Sequence, residues 1–129
     1  MFPDPATLTA HRAPALLVDA VLACSATGGQ VRLLPVAQDV LQVIEGCAQA
    51  IAVLQGARSG GNDASRGHGF LIAASDLVCQ GPADGHHVVH VTIIHGRRLG
   101  QQQQHHVVAT SGPTTLVDGT LTTLDEKCT

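Results

Sequence analysis

The sequence predicts an α+β fold in which one antiparallel sheet packs around one long apolar helix. Two strand-like runs precede a single segment of helical periodicity, and four more follow it, with clusters of turn residues between them. Apolar residues make up 44% of the 129 residues and charged residues 13%, which is enough apolar material for a core. The length fits one domain, so we expect residues 1–129 to form a single unit.

The first two strands are expected to pair with each other. Ala15–Ala23 is rich in branched residues and follows Pro14. It runs into the turn residues Cys24–Gly29, after which Gln30–Val36 reads as the returning strand.

The helix is predicted between Asp39 and Arg58, with Asp39 as a candidate N-cap. Its apolar positions recur at offsets of four, three, four and three: Val40, Ile44, Cys47, Ile51 and Leu54. Its other faces carry small residues where a surface helix would carry Lys and Glu: Gly46, Ala48, Ala50, Ala52 and Ala57. We therefore expect the sheet to enclose this helix near Val40–Gly56.

The second half of the chain begins with Ser59–Gly69, which has the composition of a loop. Four strand-like runs follow: Phe70–Cys79, His87–His95, Gln102–Thr110 and Thr114–Leu124. The pair Asp118-Gly119 predicts a tight hairpin inside the last run.

Charge and composition argue against several classes of partner. The net charge is −3 and aromatic residues are 2%, whereas nucleic-acid binders carry a basic face and rings that stack on bases. No apolar run approaches the roughly 20 residues needed to cross a membrane, and Met1–Pro5 lacks the features of a secretory signal. We therefore expect a cytoplasmic protein that binds neither nucleic acid nor membrane. Its four dispersed cysteines are expected to be free thiols: Cys24, Cys47, Cys79 and Cys128.

Glu45 is the first candidate for chemistry, because it is the only acidic residue between Asp39 and Asp63. Apolar neighbours would leave its carboxyl poorly solvated, which favours the neutral form and suits proton transfer near neutral pH. Gln49, four residues later, is placed to hydrogen-bond and orient that carboxyl. The alternative is that Glu45 faces solvent near the helix start and only complements the helix dipole.

Four segments, in order along nearly the whole chain, resemble the 3-hydroxyacyl-[acyl-carrier-protein] dehydratases. Leu8–Val21 (LTAHRAPALLVDAV) looks like the opening "PHR-x-P-x-LLxDxV", and Ile44–Ala50 (IEGCAQA) resembles the "E-x-x-AQA" helix. Gly69–Ala73 (GFLIA) is similar to the "GFLxG" strand, and Leu116–Gly119 (LVDG) to the penultimate hairpin.

This resemblance implies the hotdog fold, a sheet wrapped around one long helix, as a dimer whose subunits share the active site. It implies that Glu45 is the catalytic acid and that Gln49, Gly69, Phe70 and Ala73 contact a substrate carried as a thioester of acyl carrier protein or coenzyme A. Neither a metal nor an organic cofactor is implied. The edges that such a sheet leaves open also favour a homodimer, or a hetero-oligomer with another hotdog subunit.

The sequence departs from the main fatty-acid branch of this family, which places its catalytic histidine in "HFP" shortly before the helix. Here that stretch is Pro35–Val43, which contains no histidine. It resembles instead the branch associated with aryl polyene synthesis, in which we expect His11 to be the imidazole near the carboxylate. Ala73 replaces the family's glycine and Ala10 its usual proline, so the backbone N–H that polarises the thioester carbonyl is expected to be less accessible.

Other side chains raise the questions of a metal site, a reactive thiol and a docking surface. If Gly96–Gly100 is a hairpin loop, His90 faces His106, and His86 or His87 would have to complete a metal site, so a solvated sheet face is the favoured interpretation. Cys47, within the apolar stripe, is interpreted as a core thiol rather than a nucleophile. A cationic rim able to meet an acidic carrier protein, or else a solvated loop, is suggested by Arg58, Arg66, Arg97 and Arg98.

Three functions therefore compete. The leading one is dehydration of 3-hydroxyacyl thioesters to 2-enoyl thioesters, with His11 as the base and Glu45 as the acid. A hotdog thioesterase is the second, in which the helix carboxylate would activate water. The third is a non-catalytic acyl-binding or assembly subunit, suggested by the missing "HFP" histidine and by Ala73.

Overall fold

The computed structural model describes residues 17–34, 40–58, 69–79 and 88–125. It contains one long helix and six strands, in agreement with the predicted α+β class. The elements are β1 (Val18–Ser25), β2 (Gly28–Leu33), α1 (Val40–Arg58), β3 (Gly69–Cys79), β4 (His90–Leu99), β5 (Gln102–Ser111) and β6 (Thr114–Asp125).

All six strands form one antiparallel sheet, in the order β1-β2-β4-β5-β6-β3. The strand β2 pairs with β4 rather than with β3. These two strands are therefore neighbours in the sheet, although α1 and β3 separate them along the chain. Among the described elements, β1 and β3 are the two edges of the sheet.

The inner face of the sheet is set by simple alternation along the strands. In β5, every second residue is buried, from Gln103 through Val107 to Ser111. The same period places Val91 and Ile93 of β4 in the core, together with Val89 just before the strand. Most residues of this face are apolar, so it has to be covered, and α1 lies against it.

The exposure of the α1 side chains changes along the helix. Leu41, Gln42 and Glu45 are exposed in its first turns, whereas every residue from Gln49 to Leu54 is buried. The small side chains Ala50 and Ala52 permit that enclosure. The predicted enclosure by the sheet is therefore confirmed for the second half of the helix.

Cys47 is a core thiol, as predicted. It is fully buried on α1, and burial, with a smaller contribution from Cys79, raises its pKa to about 12. The thiol therefore stays neutral at physiological pH and is a poor nucleophile. Cys24 and Cys79 are also free thiols, and Cys128 lies outside the described residues.

The bounds of β3, β5 and β6 lie within one residue of the prediction. The predicted turn Cys24–Gly29 is too long, because β1 and β2 each extend two residues into it and leave only Ala26 and Thr27 as the turn.

The strand β4 continues to Leu99 instead of ending at His95. The extension exists because the β4–β5 turn is tight and centred on Gly100 and Gln101. Gly100 has φ +62°, a left-handed conformation that glycine adopts at little cost. The predicted loop Gly96–Gly100 is therefore mostly strand.

The predicted hairpin at Asp118-Gly119 is wrong, because β6 runs straight through this pair. Gly119 instead lies beside an irregularity in β3 between Ser75 and Val78, where Asp76 has φ +53°. A Cβ at Gly119 would approach the Leu77 Cα to 2.8 Å. The glycine therefore provides room for this β-bulge, which brings the Leu77 side chain onto the core.

Within the described part of the chain, no helix is long and apolar enough to span a membrane.

We expect Gly119→Ala to lower the free energy of unfolding by about 1–3 kcal/mol, because the added methyl group collides with backbone that the bulge holds in place. Urea unfolding followed by circular dichroism measures the change. Thr120→Ala, on the next residue of β6, serves as the control and should stay within about 0.5 kcal/mol of wild type. Equal stability of Gly119→Ala and wild type would show that the bulge does not depend on this glycine.

Candidate active site

Glu45 lies on the exposed side of α1, one turn after Leu41, whose side chain is 75% exposed. The residues two positions on either side, Val43 and Cys47, are buried in the core. Each residue rotates about 100° around a helix, so Glu45 points away from them. In the single chain Glu45 is therefore exposed, which differs from the poor solvation that its apolar neighbours suggested.

Gln49 holds the Glu45 carboxyl in place, as the four-residue spacing predicted. Its Nε2 donates a hydrogen bond to Glu45 Oε1 at 3.2 Å. Gln49 itself is only 1% exposed, since this side of the helix becomes covered one turn further on. The site therefore has a buried support beneath an exposed carboxyl.

The cover over Gln49 involves the start of the first strand. The backbone N–H of Leu17 donates to Gln49 Oε1 at 2.6 Å, and the Leu17 carbonyl accepts from the N–H of Leu34 at 2.7 Å. Both backbone groups of Leu17 are thus used, one by the helix and one by the end of the returning strand. Sequence reasoning missed Leu17 because no side-chain pattern marks a backbone donor.

This arrangement fixes which end of the Gln49 amide faces Glu45. The Leu17 N–H can donate only to the oxygen of the Gln49 amide, so the amide oxygen lies beside Leu17. The amide nitrogen therefore faces Glu45. An amide nitrogen only donates, and Glu45 Oε1 must therefore accept in either protonation state. The buried Gln49 amide is therefore oriented by Leu17 at one end and presents its donor end to the Glu45 carboxyl at the other.

The other predicted site residues are only partly described. Gly69 and Phe70 begin β3, opposite Asp125 and Leu124 of β6. Ala73 lies further along β3 and is exposed. His11 lies outside the described residues, so its distance from Glu45 stays a prediction.

The Asp of the opening motif has a partner in the neighbouring strand. Asp19 Oδ2 accepts a hydrogen bond from Arg32 Nε at 2.8 Å, which joins β1 to β2. Both side chains are partly exposed on the sheet. The contact between the two side chains therefore gives Asp19 a structural role, which is to link β1 to β2.

The predicted pairing of His90 with His106 is wrong. His90 pairs with Thr110, and His106 pairs with Ile94 in the register and contacts Asp118 at 3.2 Å. The tight turn at Gly100 and an irregularity in the pairing between His95 and Arg98 together give a register different from the predicted one. No three His, Cys, Asp or Glu side chains among the described residues are grouped to hold a metal ion, and His86 and His87 lie outside that set.

The proposed cationic rim is described only at Arg97 and Arg98, which are both exposed on β4. Arg98 donates to Gln103 Oε1 at 2.9 Å. Arg97 lines a small depression on the sheet together with Leu99, Gln102, Gln104 and Thr122. The Arg58 side chain and Arg66 lie outside the described residues.

No protein-family profile and no curated protein matches this sequence. Solved structures do match. One is the dehydratase heterocomplex ApeI:P from Xenorhabdus doucetiae, with a TM-score of 0.87 and 17% identity over 99% of this chain and 94% of that one.

Two more distant structures have the same architecture. A homologue of HP0420 from Helicobacter felis has a TM-score of 0.68 and 10% identity over 96% of this chain and 87% of that one. Cj0977, a sigma28-regulated virulence protein from Campylobacter jejuni, has a TM-score of 0.68 and 8% identity over 93% and 84%. Together with the helix and its six-stranded antiparallel sheet, these similarities show that the chain has the hotdog fold.

Proposed function

We propose that this protein dehydrates 3-hydroxyacyl thioesters to 2-enoyl thioesters. The observation that carries the proposal is the Glu45 carboxyl on the central helix, one oxygen of which accepts a hydrogen bond from the buried Gln49 amide. Support comes from the fold, which matches a chain of a dehydratase heterocomplex over 99% of this sequence. The aryl polyene-type branch is the one that the sequence motifs favour.

In the proposed reaction, His11 removes a proton from C2 of the acyl group and Glu45 gives its proton to the departing C3 hydroxyl, which leaves as water. The electron pair of the broken C–H bond becomes the new C2–C3 double bond. Leu17 is fixed against Gln49, and His11 precedes it by six residues, a reach of at most roughly 20 Å for an extended chain. That length is compatible with an imidazole near Glu45 in the same chain or in a partner.

The substrate would be carried by acyl carrier protein or coenzyme A. We place the thioester along the start of β3, where Gly69, Phe70 and Ala73 match the family's substrate-binding strand. The exposed Arg97 and Arg98 suit an acidic carrier. Proton transfer between two side chains requires neither a metal nor an organic cofactor.

A second subunit is part of the proposal. Among the described strands, β3 is at an edge of the sheet, and its exposed Ala73, Ala74 and Ser75 would let another backbone approach closely. Leu41, beside Glu45, is also largely exposed in the single chain. We infer that a second copy, or another hotdog subunit, pairs with the β3 edge and completes the surroundings of the carboxyl.

An assembly subunit without turnover is the second candidate. The observation in its favour is that the matched dehydratase is a heterocomplex, in which two different chains assemble. The missing "HFP" histidine and Ala73 at the family's glycine point the same way. Under this hypothesis the chain binds acyl groups or a partner, and the partner performs the chemistry.

For the dehydratase proposal, we expect Glu45→Gln and His11→Ala each to lower kcat/KM by roughly 10²- to 10⁴-fold, because each removes one proton-transfer group. The double variant should lose less than the product of the two single losses, because the two groups act in one step. The assay follows 2-enoyl thioester formation from 3-hydroxyacyl carrier thioesters, and Gln42→Ala on the same helix face serves as the active control.

The possible products separate the alternatives. A free thiol would identify a thioesterase, and an inactive wild type that still binds an active hotdog partner would identify the assembly subunit. An active His11→Ala variant would overturn the His11–Glu45 pairing while leaving the role of Glu45 standing.

We also expect light scattering to give a mass of at least two chains, since an open, weakly charged sheet edge favours pairing. Ala74→Glu places a charge on that edge and should shift the mass toward one chain. Leu22→Glu, on the opposite edge strand β1, should not. A monomeric wild type, or dissociation by Leu22→Glu alone, would contradict pairing through β3.

A further inference from the structure

A polar depression lies near the β4–β5 turn on the outer face of the sheet, which is the face opposite the core. Five side chains from three neighbouring strands line it: Arg97 and Leu99 of β4, Gln102 and Gln104 of β5, and Thr122 of β6. Its volume of about 40 Å³ is room for roughly three waters or for one small polar group. The helix that carries Glu45 packs against the opposite face, so the depression is separate from the candidate active site.

A bulge in β4 aims the Arg97 side chain into this depression. His95 pairs with His105 and Arg98 pairs with Gln103, so β4 advances three residues where β5 advances two. Directly paired residues share a face, and Gln103 belongs to the buried face of β5. Arg98 therefore lies on the core face and Arg97 on the outer face, which is the reverse of what uninterrupted alternation from His95 would give.

The two arginines also differ in their partners. Arg98 Nη2 donates to Gln103 Oε1 at 2.9 Å, so its guanidinium is already engaged. Within the described part of the chain, the Arg97 guanidinium makes no hydrogen bond and no ion pair. The positive charge of Arg97 is therefore available to a ligand in the depression.

No acidic side chain is among the described residues that line the depression. On β6 the acid of the outer face is Asp118, four residues before Thr122 and therefore roughly 13 Å away along the strand. Asp118 Oδ1 lies 3.2 Å from His106 Nε2, so this carboxyl is engaged by another strand. Arg97 is thus the charged group of the depression, which favours an anion as its ligand.

The uncharged lining residues supply further hydrogen-bond donors. The amides of Gln102 and Gln104 each carry an NH₂ group, and Thr122 carries a hydroxyl. A guanidinium binds the oxygens of a carboxylate or a phosphate through paired N–H donors. Donors on three strands suit the three terminal oxygens of a phosphate ester better than the two coplanar oxygens of a carboxylate. Leu99, which is 62% exposed, adds an apolar surface beside these donors.

We infer that this depression binds an organic phosphate ester, with Arg97 and the neighbouring amide and hydroxyl donors on the phosphate and Leu99 against the organic part. The site goes beyond the proposed dehydratase function and does not depend on it, since none of its residues takes part in the proton transfer. Because Arg97 is exposed, the binding should weaken as the salt concentration rises.

The test uses phenyl phosphate and inorganic phosphate as probes, titrated at low ionic strength and followed by proton–nitrogen NMR. In the wild type, both should give saturable shifts at the Arg97 Nε–H and at the side-chain amides of Gln102 and Gln104. Phenyl phosphate should bind roughly three- to tenfold more tightly than inorganic phosphate, because its ring covers part of Leu99.

Three variants separate the contributions to binding. Arg97→Gln should weaken both probes by about tenfold or more, because it removes the charged donors. Arg32→Gln, at an arginine that is paired with Asp19 on the same face of the sheet, should keep the wild-type affinity for both. Leu99→Ala should remove most of the preference for phenyl phosphate and leave the affinity for inorganic phosphate within about twofold.

An absence of saturable shifts in the wild type would overturn the inference. So would equal phosphate affinity in Arg97→Gln and wild type, or an equal loss in Arg32→Gln, because the shifts would then report the overall charge of the protein instead of this site. An unchanged preference for phenyl phosphate in Leu99→Ala would overturn the assignment of the organic part to Leu99.

Discussion

The buried amide of Gln49 is the constraint on which the candidate site depends. An amide with 1% exposure is costly to bury without partners, by about 1–3 kcal/mol for each polar group left unsatisfied. Its oxygen accepts a hydrogen bond from the Leu17 N–H, and its nitrogen donates one to Glu45 Oε1. One side chain therefore sets where the first strand begins and how the carboxyl is oriented.

The same constraint divides the helix into two functional parts. From Gln49 to Leu54 the helix is enclosed, and small residues such as Ala50 make that enclosure possible. Before Gln49 the side chains of Leu41 and Glu45 remain exposed in the single chain. A carboxyl at this boundary has a buried support on one side and an exposed face on the other, which suits the general-acid role that we propose for Glu45.

Periodicity was sufficient to predict the helix and the inner face of the sheet, because burial of Cys47 or Val91 follows directly from spacing. Strand register was harder to predict, since the tight turn at Gly100 and the irregularity between His95 and Arg98 change the cross-strand partners along the whole β4–β5 hairpin. Gly119 was misassigned because a glycine that makes room for a bulge and one that forms a turn look alike in sequence. The Leu17–Gln49 bond could not be predicted at all, because a backbone donor has no sequence signal.

Hydrogen exchange at the Leu17 amide tests the central claim most directly. If Gln49 holds the start of the first strand, this amide should be protected in the native protein to a degree similar to the Leu34 amide, which bonds the Leu17 carbonyl. Gln49→Ala should remove protection at Leu17 while the Val91 amide in the centre of the sheet keeps its own. Rapid exchange at Leu17 in the wild type, or unchanged protection in Gln49→Ala, would contradict the account.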